Sequence, residues 1–258
     1  MWFRFYPIFR REIRSYLASP SVYVAVAMFL FLSGVFYYGI LINFSELSSN
    51  AEYRQQLGVQ TVNFTRQVVG QVFWAINFLL LFLIPMITMR LLAEEKKSGT
   101  FELLKSLPFT DWNIVLAKFL AAYALVAAML LLSGYYVLIM MRFGQPEMPV
   151  VLVSMLGVLV ASAAYVSIGL FASSLTENQI VAAIVSFVLL FGLYLIGDLT
   201  TPASGGINRV LESLSMRYHA DNFTKGLLRL EDVVYFLMLT VAFLFLTCRT
   251  LEIRRWRV

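Results

Sequence analysis

The sequence predicts an all-α fold: a polytopic membrane protein with six transmembrane helices, built as a single domain over residues 1–258. Three observations carry this. Hydrophobic residues make up 60% of the chain and charged residues 14%, with a mean hydropathy of +0.79, against about 45–50% apolar and about 25% charged in ordinary soluble domains. Six stretches reach or approach the roughly 20 apolar residues needed to cross hydrocarbon, and none has a charge at its centre, where each would cost about 2.5–3.5 kcal/mol. Lys and Arg fall in short clusters beside those stretches, a pattern that sets orientation.

Residues 1–20 form an amphipathic elbow helix ahead of the first span. Phe5, Tyr6, Phe9, Ile13, Tyr16 and Leu17 share one helical arc, and Arg4, Arg10, Arg11 and Arg14 the opposite one. Such a helix lies in the membrane interface with its basic face toward anionic headgroups. It serves either as a topology anchor or as an element that transmits motion. The start is not read as a signal peptide, because charged residues precede a run too long for that role, so it is expected to stay as an anchor.

The spans are Val22–Ile42, Val72–Met89, Phe119–Met141, Val150–Leu175, Ile180–Gly197 and Val233–Cys248. The first opens on Ser19-Pro20, an N-cap followed by proline at the first helical position. Asp111 is expected to cap the helix that becomes span three. Thr176, Glu177, Asn178 and Gln179 read as a capping box at the start of span five, with Thr176 as the cap. Residues 198–232 are too long for a bare connection. Ile207, Val210, Leu211 and Leu214, then Phe223, Leu227 and Leu228, recur at helical spacing, predicting outer amphipathic helices that act as a lid or as packing.

Six spans put both termini on one side with loops 90–118 and 175–179. That side holds 13 of the 20 basic residues and the other holds 7, which places the termini in the cytoplasm. The formal charge of +5 is scattered and gives no nucleic-acid-binding face. Several chemistries have no support. No GxxxxGK[ST] phosphate loop or HExxH motif is found, and the one Cys248 lies in an apolar run. His219, the single histidine, reads as an ordinary interfacial residue, and Asp198 lies at a helix end, so intramembrane acids for a proton relay are not expected. Asn63-Phe64-Thr65 and Asn222-Phe223-Thr224 match glycosylation sequons. No catalytic, cofactor-binding or metal-binding residue is expected. Gly157/Ala161, Gly169/Ser173 and Ala182/Ser186 have the small-xxx-small spacing of close helix packing.

The most informative segment is the cytoplasmic loop 94–110. Glu94 and Glu95 leave span two, Gly99 turns the chain, and a short helix follows until Pro108 stops it. Phe101, Leu104 and Leu107 form one apolar edge while Glu102 and Lys105 face water, either as a knob for another protein's groove or as a loop helix lying on lipid.

Glu94, Glu95, Gly99, Thr100, Glu102, Leu103, Leu104 and Pro108 match the pattern Glu-Glu-x-x-x-Gly-Thr-x-Glu-x-Leu-Leu-x-x-x-Pro. In this the chain resembles the ABC-2 type permeases of type V ABC transporters. The likeness continues at Ile114-Val115-Leu116-Ala117-Lys118 and covers the elbow helix, six spans, coupling helix and outer helices. Residues 173–179, and Phe223-x-x-Gly226 through 232–236, resemble the permeases associated with gliding motility. The resemblance implies a non-catalytic permease subunit, with ATPase coupling through Glu94, Glu95, Gly99, Thr100, Phe101, Glu102, Leu103, Leu104, Lys105 and Pro108, and with the second inner turn (Thr176, Glu177, Asn178, Gln179) and elbow arginines Arg10, Arg11 and Arg14 in support. Its implied partners are two copies of a separate ABC ATPase that binds ATP-Mg, a second permease subunit facing spans one and five, the lipid bilayer, and, by the narrower likeness, a membrane protein with a large periplasmic domain. The implied role is export across the bacterial inner membrane. The alternative is an ATPase-driven anchor that transmits force to a periplasmic partner without transport.

Overall fold

A computed structural model describes residues 2–50, 63–99, 110–199 and 205–255. Helix α1 (Trp2–Ala18) is the elbow, and α2 (Pro20–Ser49) is the first span. The second span is composite: a π-helical turn at Thr65–Val69, then α3 (Gly70–Thr88) and α4 (Arg90–Lys97). Spans three to five are α5 (Asp111–Phe143), α6 (Met148–Leu175) and α7 (Gln179–Leu195), the last extended by a 3-10 turn at Ile196–Leu199. Two short helices, α8 (Gly205–Leu214) and α9 (Met216–Thr224), precede α10 (Leu230–Arg255), the sixth span. Among the described residues all six membrane-crossing helices expected from hydropathy are present. Each outruns its apolar core because the polar flanks continue the helix.

Span four is the axis of the bundle. Helix α6 packs against α3, α5, α7, α9 and, most extensively, α10. Its buried face is made of small residues, among them Gly157, Ala161, Ala164, Gly169, Ala172 and Ser173, which let neighbouring backbones come close. A Cβ at Gly157 would overlap Phe223 of α9, and one at Gly169 would overlap Thr88 of α3. The small-residue spacings in span four therefore serve contacts within the chain. Spans one and five are the opposite case: 17% and 22% of their apolar windows are buried, against 72% for span two. Phe31 and Val35 on α2, and Ile184 and Val188 on α7, remain exposed apolar surface.

The helix starts differ in detail from expectation. Asn178, not Thr176, caps α7: its side chain accepts from the Ile180 N–H at 2.9 Å, while Thr176 Oγ1 accepts from the Asn178 N–H at 3.1 Å. Thr110 holds the N-cap position of α5 and Asp111 is its first helical residue, so Asp111 adds charge at the dipole's positive end without capping. Ser19 does precede Pro20 at the start of α2, but its hydroxyl meets that of Ser21 at 2.8 Å rather than a helix N–H.

The far end, opposite the termini, is closed by α9. Met216, Ala220 and Phe223 are buried, as expected for a tucked amphipathic helix, whereas Leu227, Leu228 and, on α8, Val210 and Leu214 are exposed. The helix stops because Gly226 adopts φ +75°, and the Leu227 N–H then bonds back to the Asn222 carbonyl.

Candidate functional site

At the end that carries the termini, the helix leading into loop 100–109 is tied to the elbow and to span three by charge. Lys118 of α5 is buried, with 2% of its side chain exposed, and its ammonium lies 3.0 Å from Glu12 Oε1 and 3.0 Å from Glu95 Oε1. Arg11 reaches the same Glu95 oxygen at 3.2 Å. Two cations and two carboxylates thus neutralise one another across α1, α4 and α5. A buried ammonium costs several kcal/mol in lost hydration, and two carboxylates at contact distance offset it. Ile8 of α1 packs beside this cluster on Ile114 and Ala117 of α5.

The elbow accordingly has three faces. Tyr6 and Leu17 lie on an exposed apolar side, Arg10 and Arg14 on an exposed basic side, and Ile8 and Glu12 turn toward α5. The expected basic face is corrected at Arg11, which bends to Glu95 instead of lying free for headgroups. Burial and the nearby Glu12 carboxylate push the Tyr16 hydroxyl well above the usual phenol range.

Of the residues expected to couple to an ATPase, Glu94 is exposed and Glu95 is buried. Gly99 adopts φ +70° just after α4 ends, a left-handed turn that a side chain would strain. Thr100, Phe101, Glu102, Leu103, Leu104, Lys105 and Pro108 lie outside the described residues. Lys96 donates to the Ser174 carbonyl at the end of α6, linking this segment to the turn at Thr176, Glu177, Asn178 and Gln179.

The junction between α3 and α4 is held from outside. Pro85 sits in the last turn of α3 and removes a backbone donor there. Four to eight residues on, the backbone is held by Ser173 of α6, which accepts from the Leu92 and Ala93 N–H groups at 3.0 and 3.1 Å and donates to the Met89 carbonyl at 3.0 Å. A hydroxyl from a neighbouring helix thus does what an N-cap side chain does.

The far end holds a second charged cluster that the sequence reading missed. His219 is not an ordinary interfacial residue: it is 7% exposed, and its Nδ1 lies 2.5 Å from Oδ1 of Asp232, an acid with no exposed surface. Nε2 donates to the Ser213 carbonyl at 3.1 Å, and Asn222 donates to both Asp232 oxygens at 3.3 and 3.1 Å. Asp232 is a buried acid that sequence reasoning did not single out; it lies in the first turn of α10, and its partners hold it fully. Asn222 is buried and its amide engaged, so its sequon is no accessible acceptor; Asn63 accepts from the Thr65 N–H at 2.9 Å and caps span two. Glu231 and Asp232 just before the last apolar run were the available signal, since acids favour a helix's first turn. Among the described residues no group of His, Cys, Asp and Glu could hold a metal ion.

The model of the family described as ABC-2 family transporter protein matches residues 6–252, a range that takes in the elbow, all six spans and both charged clusters. The chain belongs to that family. This ABC-2 protein is a multi-pass membrane component of an ABC transporter, and its family implies association with an ABC ATPase. No curated protein matches the chain.

Proposed function

We propose that this ABC-2 protein is one permease half of an exporter in the bacterial inner membrane, with both termini cytoplasmic. A separate ATPase, two copies per transporter, binds ATP-Mg and docks on loop 94–110, where the sequence leads one to expect a short helix. A second permease, identical or related, packs on the open faces of spans one and five. ATPase closure would push the docked helix, and the push would reach the elbow and span three together.

The observation that carries this reading is the Arg11–Glu95–Lys118–Glu12 cluster. Glu95, the second acid of the family motif, is bonded to both the elbow and span three a few residues before the docking segment. Displacement of that segment therefore acts on three elements at once. The excess of Lys and Arg on this side supports its cytoplasmic placement.

The test pairs two kinds of variant in the assembled complex. Phe101→Ala removes the largest apolar group of the docking segment and should cost about 2 kcal/mol of ATPase affinity, roughly thirtyfold. Glu95→Gln should leave the ATPase bound but lower the permease-dependent part of its hydrolysis rate. Unchanged co-purification and hydrolysis in both variants, at normal membrane levels, would overturn the coupling role.

A further inference from the structure

A cavity of about 420 Å³ opens beside the ion cluster, between the corner joining α1 to α2 and the junction joining α3 to α4. Its volume is within the usual range for a small-molecule site. One wall is hydrocarbon: Val22 and Ala25 of α2 face Met86 and Ile87 of α3. The other is polar, and its charges can be balanced. Arg11, Glu12, Glu95 and Lys118 line it but pair with one another and sum to zero.

That leaves Arg90 and Glu94, one helical turn apart on α4. Among the described residues neither forms an ion pair; the Arg90 guanidinium donates only to the Ser21 hydroxyl, at 2.9 Å. Arginine preceding glutamate is the less favourable order for pairing along a helix. A third polar group is unused: the Tyr16 hydroxyl lines the cavity, is shielded from solvent, and has no hydrogen-bond partner among the described residues. The cavity therefore presents a cation, an anion and a hydroxyl at its polar end, and an apolar wall where the spans begin.

We infer that this cavity binds a phospholipid whose headgroup carries both a phosphate and a primary ammonium, the phosphoethanolamine class. The phosphate meets Arg90 and the Tyr16 hydroxyl, the ammonium donates to Glu94, and the first part of an acyl chain lies along Val22, Ala25, Met86 and Ile87. A purely anionic headgroup would leave Glu94 facing negative charge, and a trimethylated ammonium would have no N–H to donate. Selectivity thus comes from one unpaired acid as much as from one unpaired base. The cavity is lined by this chain's own residues, so lipid binding can be tested on the permease alone.

The full-length protein, purified in mild detergent, is mixed with phosphatidylethanolamine, phosphatidylcholine and phosphatidylglycerol of matched acyl chains, and bound lipid is counted by native mass spectrometry. Phosphatidylethanolamine should be retained about tenfold better than either of the others, the ratio expected for one charge-assisted hydrogen bond. Glu94→Gln should bring it down to the phosphatidylcholine level. Arg90→Gln should weaken all three. Both positions are exposed, so the variants remain folded. Soluble glycerophosphoethanolamine should fail to displace the lipid, because it lacks the chain that meets the apolar wall; displacement would overturn the lipid source. Equal retention of the three lipids, preference for phosphatidylglycerol, or a Glu94→Gln variant with unchanged selectivity would overturn the site.

Discussion

The two ends of the bundle bury charge by different means. At the end that carries the termini, Lys118 draws its carboxylates from far along the chain, Glu12 on the elbow and Glu95 on α4, and Arg11 keeps the cluster open to water with 58% of its side chain exposed. At the far end, Asp232 takes its partners from the preceding helix, His219 and Asn222, and no part of it reaches solvent. The 2.5 Å between Nδ1 and Oδ1 requires a proton between them, since two lone pairs would repel at that distance. The far cluster therefore fastens α9 onto α10 as a local seal. The near cluster joins elements that contact one another only in the folded bundle, and its wet edge allows partners to be exchanged. A joint that moves needs the near arrangement; a cap that stays shut needs the far one.

Removing Lys118 should give the largest effect. Lys118→Met leaves Glu12 and Glu95 nearly buried with Arg11 as their remaining cation, and loss of one partner from a buried pair costs about 3–5 kcal/mol. A large fall in melting temperature in mild detergent is expected, with the elbow becoming accessible to proteolysis. A Lys118→Met protein that melts like the parent would show that the two carboxylates are solvated and that the near cluster binds nothing together.

Asp232→Asn should cost less, about 1–3 kcal/mol, because shape is kept and Asn222 can still donate to the remaining carbonyl oxygen. The loss should be local: protection of α9 amides from hydrogen exchange falls while that of α5 and α6 stays. If Asp232→Asn also loosened the elbow, the far cluster would be no local seal and the contrast between the ends would fail.

The smallest effect belongs to Arg217, whose pair with Asp198 joins α9 to the end of span five at 2.6 Å but with both side chains nearly half exposed. Arg217→Ala should shift stability by less than about 1 kcal/mol, and the shift should vanish at high salt. An effect matching that of Asp232→Asn would mean that the surface pair and not the buried one holds the cap.

How much of this was legible in the sequence follows from the range of each interaction. The six spans, the elbow and the two outer helices are set by hydropathy and helical spacing within a window, and these were found, except that the second outer helix ends at Thr224 and leaves Leu227 and Leu228, expected on it, outside. Cap positions slipped by a residue or two: Asn178 accepts from the helix N–H where Thr176 was expected to, and Thr110 stands before Asp111 without a side-chain bond to the helix. The charged clusters were harder. Glu12 falls between the apolar and basic arcs of the elbow, so a two-faced reading had no place for it, and Lys118 looked like one more topology charge. Gly157 and Gly169 were recognised as packing residues, but not that Phe223 and Thr88 fill the space above them, since spacing along one helix says nothing of what approaches it. Loop 94–110 is the reverse case: its motif is the clearest in the sequence, and the docking role proposed for it would rest on a partner chain.

Ser173 has a consequence for how span two can bend. Most helices end on their own terms, with a cap supplied from the residues just before the first turn. Here the cap of α4 belongs to α6, so the lower tip of span two is steered by its neighbour. Tilting span four would carry the Ser173 hydroxyl with it and turn α4 about Met89, while α3 stays seated on its own ladder above Pro85. The tip then behaves like a rudder, hinged on one helix and held at the tiller by another.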